Sequence, residues 1–117
     1  SAIPTWLNEG LAMELSRDRW SDLDQIMTQE FTLIPLPALE GEWGGLSSDA
    51  ATVAYLEANS AVHYLIDRFG MSRVRELLAH LKARQALSAA MQSQLSLSYE
   101  QFESRWVDQL QHPEKKS

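Results

Sequence analysis

One carboxylate stands out by its neighbours. In PTWLNEG, residues 4–10, Glu9 follows Trp6 by three positions and precedes Met13 by four, so on a helix it lies between two large apolar side chains. An ionised carboxylate in such surroundings is costly unless a hydrogen bond, a cation or a metal compensates it. Glutamate oxygen is an ordinary zinc ligand, but one carboxylate is not a centre: a catalytic zinc normally takes three protein ligands and keeps a position for water. The three histidines, His63, His80 and His112, are far apart in sequence, and no H-E-x-x-H occurs. From residues alone, Glu9 is therefore a part-exposed helix charge favoured by the dipole of the first turn, a member of a buried ion pair, or a metal ligand.

The other chemistry-bearing residues read first as structure. His63 lies between Val62 and Tyr64 in the middle of a long helical pattern, His80 at the edge of a leucine face, and His112 in the terminal tail. None replaces a ligand pair, which needs a spacing that puts both imidazoles on one helix face. Tyr55 lies on an apolar stripe and is expected in the core with its hydroxyl hydrogen-bonded. The absence of cysteine excludes disulfides and thiolate chemistry.

The elements that would position these residues are helical. Residues 5–17 form a first helix, with Pro4 and Thr5 at its start and apolar or small residues around most of its circumference, which predicts a buried helix. Ser21 and Asp24 resemble a capping box and start a short helix ending near Gln29. The stretch FTLIPLPALEGEWGGL, residues 31–46, breaks helicity through Pro35 and Pro37 and offers Gly41, Gly44 and Gly45 for turns. It is expected to be an ordered loop. Ser48 is expected to cap a long helix that Gly70 stops. Tyr55, Asn59, Val62, Ile66 and Phe69 give that helix one face, and Ala54, Ala58, Ala61 and Leu65 a second, as a central helix requires. Ser72 opens the next helix, with Val74, Leu77, Leu78 and Leu81 on one face; another piece covers residues 87–94. Ser98 with Gln101 forms a capping box for a last helix anchored by Tyr99, Phe102, Trp106 and Leu110. The fold class is all-α, with five or six helices and one ordered loop containing proline and glycine.

With 117 residues there is room for one domain, expected over residues 1–112 with a polar tail at 113–117. Sixteen acidic against ten basic side chains leave a formal charge of −6, the wrong sign for the phosphate attraction that dominates nucleic-acid and anionic-membrane binding. No apolar run is long enough to insert in a bilayer. The opening SAIP in place of a methionine suggests an expression scar, a processed terminus or a fragment.

PTWLNEGLAMEL resembles the segment that follows H-E-x-x-H in zinc-dependent peptidases of the gluzincin group, including the aminopeptidase N-like enzymes and the peptidase MA-like domains. In the pattern W-x-x-E-G-x-A, the resemblance makes Glu9 the third zinc ligand, Trp6 a packing anchor, and Gly10 and Ala12 the small residues of a close helix approach. LPALEGEWGGLSSDAATVAYLEANSAVHYLIDRFG and LSYEQFESRWVDQL are similar to the family's following segments, so the resemblance covers nearly the whole chain. Tyr55 and Tyr64 match a family spacing in which the first tyrosine donates to the tetrahedral oxyanion, which makes Tyr55 a candidate catalytic residue.

The resemblance implies a C-terminal portion of a zinc peptidase that hydrolyses peptide bonds when intact. It implies a peptide or protein substrate, an upstream H-E-x-x-H helix as partner, and zinc as the cofactor of the whole. Because the two histidines and the general base are missing from these residues, this chain alone is expected to be inactive and to hold no zinc of its own. The alternative is a non-catalytic interaction domain on a retired peptidase scaffold. A face meant for the upstream helix would favour a homo-oligomer. Relatives are often exported or envelope-associated, although the chain carries no address.

Overall fold

The computed structural model describes residues 3–16 and 33–111. Among them are five α-helices, one 3₁₀ turn and no strand: α1 (Thr5–Ser16), the 3₁₀ turn (Leu36–Leu39), α2 (Ser48–Phe69), α3 (Met71–Lys82), α4 (Leu87–Leu95) and α5 (Tyr99–Gln111). The all-α expectation holds. The helix expected from Ser21 to near Gln29, the last residue of the expected first helix, and His112 lie outside the described residues. No described helix is long and apolar enough to cross a membrane.

The chain forms two compact units, one of Pro4–His63 and one beginning at Tyr64. In the first, Trp6 and Leu7 of α1, Leu36 and Leu39 of the 3₁₀ turn, and Leu56, Ala58, Ala61 and Val62 of α2 are buried. Every residue from 56 to 62 is buried, which is nearly two full turns. That stretch is enclosed on all sides, as a central helix requires. In the second unit the buried side chains include Val74, Leu77 and Leu81 of α3, Ala90, Met91 and Leu95 of α4, and Phe102, Trp106 and Leu110 of α5. Their spacings of three and four put one apolar face on each helix. Tyr64 and Phe102 meet there with ring centroids 5.9 Å apart.

Helix ends show where local chemistry was read correctly and where it was displaced. At α5 the reciprocal box is formed: the Gln101 amide donates to Ser98 Oγ at 3.1 Å, and the Ser98 amide donates to Gln101 Oε1 at 2.9 Å. At α2 the cap is Ser47 rather than Ser48. Ser47 Oγ accepts from the Ala50 amide at 3.1 Å, three residues on, while Ser48 already lies in the helix. Gly70 ends α2 and is also the N-cap of α3, which therefore starts at Met71, before Ser72. Its φ of 86° and ψ of 153° belong to a region open essentially to glycine, so one residue makes the whole joint. Gly41, Gly44 and Gly45 do not take positive φ, and side chains there would meet open space; the loop's turn does not depend on their conformational freedom.

Candidate functional site

α1 is held to α2 by a missing side chain. A Cβ at Gly10 would run into the Ala58 carbonyl and come within 2.6 Å of Val62 Cγ2, so only glycine lets the two backbones approach this closely. The Thr5 amide donates to the Glu40 carbonyl at 3.0 Å, which ties the start of α1 to the loop after the 3₁₀ turn. Trp6, the residue read as a packing anchor, is fully buried.

The rest of α1 corrects the expectation of a helix buried around most of its circumference. Ala12 is exposed, Leu11, Met13 and Glu14 are half-buried, and Leu15 is 66% exposed. α1 has one buried line, through Trp6, Leu7 and Gly10. Glu9 is next to Gly10 in sequence, hence about 100° round the helix from that line, and it is half-buried. Among the described residues no hydrogen bond or ion pair engages its carboxylate. It is neither a fully buried charge nor part of an ion pair with them.

One turn beyond Gly10, Glu14 provides the polar counterpart of the glycine contact. Its Oε1 accepts from Asn59 Nδ2 at 3.2 Å and from His63 Nδ1–H at 3.3 Å. The Glu14 side chain is 13% exposed and that of His63 46%, so the cluster runs from interior to surface. His63 is thus a structural histidine paired with a carboxylate. His80 is also engaged structurally, with Gln94 Nε2–H donating to its Nε2 at 2.9 Å. Among the described residues His63 and His80 are not brought into a ligand set, and no three His, Cys, Asp or Glu side chains converge as a metal would need.

Tyr55 and Tyr64 are nine positions apart, which is half a turn out of phase. Tyr64 is 7% exposed and Tyr55 39%. Tyr55 is therefore not the core tyrosine expected from the apolar stripe; it stands at the surface with its ring edge-to-face against Trp43, centroids 4.9 Å apart and planes at 81°. Trp43 is itself fixed by its indole N–H, which donates to the Leu39 carbonyl at 3.1 Å.

Among the described residues the fully buried carboxylate is Glu57, which sequence reasoning passed over. Its Oε1 accepts the Ile34 amide, 23 residues earlier in the chain, and so anchors the loop that leads into the 3₁₀ turn. The one available signal was a glutamate within the apolar and small run YLEANSAV.

The sequence pattern of the Peptidase MA superfamily matches residues 1–112. The chain belongs to the Peptidase MA superfamily. No curated protein and no solved structure matches it. As a member of that superfamily the chain is peptidase-related, and its W-x-x-E-G-x-A segment lies on α1, whose close approach to α2 requires a glycine at Gly10. A half-buried glutamate with an unengaged carboxylate on such a helix fits a single oxygen donor to zinc. It does not by itself fit a complete centre.

Proposed function

We propose that this chain is the third-ligand portion of a zinc-dependent peptidase domain, with Glu9 donating one carboxylate oxygen to a zinc whose other protein ligands come from an H-E-x-x-H segment elsewhere in the full-length gene product. The observation that carries this reading is Glu9 itself: it lies beside the glycine that seats α1 on α2, half-buried and without a bonding partner among the described residues. A zinc held there would supply Lewis-acid polarisation of a peptide carbonyl and a lowered pKa for its bound water.

The chain's own contributions are binding and stabilisation. Glu9 would hold the metal from a helix whose approach to α2 is set by the Gly10 contact. Tyr55, exposed and packed edge-to-face with Trp43, would donate its phenolic hydrogen to the oxyanion that develops during peptide-bond attack. Without the segment that carries the two histidines and the general base, these residues generate no nucleophile, and the isolated chain is inactive.

The test is zinc content. The full-length gene product, purified without a metal-binding tag, is expected to carry about one zinc per chain by elemental analysis. Glu9→Ala is expected to lose it or bind it much more weakly. Folded full-length protein that takes up no zinc on reconstitution would sink the reading and favour an interaction domain on a retired peptidase scaffold.

A further inference from the structure

We infer that Glu14, through its paired contacts with Asn59 and His63, is a positioning residue for Glu9: it fixes the rotation of α1 about its own axis and thereby aims the metal-binding carboxylate. This rests on the reading of Glu9 as a zinc ligand. Gly10 and Glu14 are four positions apart and so lie on one line of α1. Both meet the same stretch of α2, Gly10 at Ala58 and Val62, Glu14 at Asn59 and His63. The glycine contact sets how close the helices come, but a glycine has no side chain to resist rotation. The carboxylate of Glu14 does resist it, because two donors one turn apart on α2 hold the same oxygen, Oε1.

The size of the effect follows from geometry. A side-chain atom about 5–6 Å from the helix axis moves about 2 Å when the helix rotates by about 20°. Zinc–oxygen bonds are about 2.0–2.2 Å long, so a rotation of that size takes a ligand out of the coordination sphere. Trp6 and Leu7 anchor the first turns of α1, but beyond Gly10 the packing is looser, with Leu11, Met13 and Leu15 half-buried or exposed. The polar tie at Glu14 is a directional contact in the second half of the helix.

Zinc affinity of the full-length protein, measured by competition with a chromogenic chelator and accompanied by thermal unfolding of the metal-free form, tests the inference. Glu14→Ala is expected to weaken zinc binding about 10-fold or more, as loss of a partner that orients a ligand does. Glu14→Gln, which keeps the oxygen acceptor for both donors, is expected to stay within about 3-fold of wild type, a rescue that bulk packing alone would not demand. His63→Leu, at a half-exposed position, is the second variant should Glu14→Ala fail to fold, and is expected to weaken zinc binding several-fold. If Glu9→Ala abolishes binding while folded Glu14→Ala or His63→Leu binds like wild type, the positioning role is wrong and Glu9 remains a ligand. A Glu14→Gln variant as weak as Glu14→Ala at equal metal-free stability also overturns it. If wild type binds no zinc, or Glu9→Ala still binds it normally, the ligand reading fails and takes this inference with it.

Discussion

Gly10 meets Ala58 with no side chain between them: the place where a Cβ would stand on α1 is filled by the Ala58 carbonyl and Val62 Cγ2 of α2. Glycine inside a helix costs about 1 kcal/mol relative to alanine, so on propensity alone Gly10→Ala should stabilise the protein. The contact predicts the opposite sign. The added methyl meets backbone, which cannot rotate away, and the helices must separate. Gly10→Ala is expected to destabilise by about 1–3 kcal/mol or more, read from the midpoint of urea unfolding at unchanged slope. An equal or higher midpoint would show that α1 is not seated as described.

Ser47 and Ser48 adjoin in sequence but differ in their bonding. Ser47 Oγ accepts the Ala50 amide, whereas the Ser48 carbonyl accepts from Thr52 Oγ1 at 3.0 Å, a bond that survives removal of the Ser48 side chain. Ser47→Ala is expected to cost about 1 kcal/mol, and Ser48→Ala, at an exposed helical position, no more than about 0.5 kcal/mol. Unfolding curves of the two variants side by side decide the matter. A larger loss at Ser48 would return the cap to the residue that the sequence pattern favoured.

Some of this was legible because it is local. The Ser98–Gln101 box, the leucine spacing of α3 and the stop at Gly70 each depend on residues a few positions apart, and they hold in the structure. The position of the α2 cap slipped by one residue because two serines stand together and either could satisfy an orphan amide. The site residues were harder to read for a different reason. Glu9 was recognisable only through its motif, and its half-burial depends on how α1 is turned. Tyr55 was placed in the core from a stripe it shares with Val62, although nine positions from buried Tyr64 already put it on the opposite side of the helix. The partners of Glu14 and Glu57 had no local sign, since they lie 45, 49 and 23 residues away.

Glu57 offers a test that reads one bond. Its fully buried side chain accepts the half-buried Ile34 amide at Oε1, so that amide should exchange with solvent more slowly than a free one. Glu57→Gln keeps an oxygen acceptor of similar reach and should preserve most of the protection. Glu57→Ala leaves the amide without this acceptor and removes buried side-chain volume, an expected loss of about 2–4 kcal/mol with accelerated exchange at Ile34. If exchange at Ile34 were the same in wild type and Glu57→Ala, the anchoring of the loop by this carboxylate would be wrong.

Tyr55→Phe separates catalysis from packing in the full-length protein. The substitution removes only the hydroxyl and keeps the ring that meets Trp43 edge-to-face, so the aromatic pair and the fold should survive. If the phenol stabilises a developing oxyanion, its loss acts on the transition state and not on substrate binding. The expected result is a fall in kcat of about 100-fold to 1000-fold with KM within a few-fold of wild type, measured on a cleaved peptide. Trp43→Ala acts differently, because it removes the ring that Tyr55 packs against and leaves the hydroxyl in place, and a smaller loss of kcat should follow. A Tyr55→Phe variant with unchanged kcat would remove Tyr55 from the chemistry and leave it a surface aromatic held against the Trp43 loop.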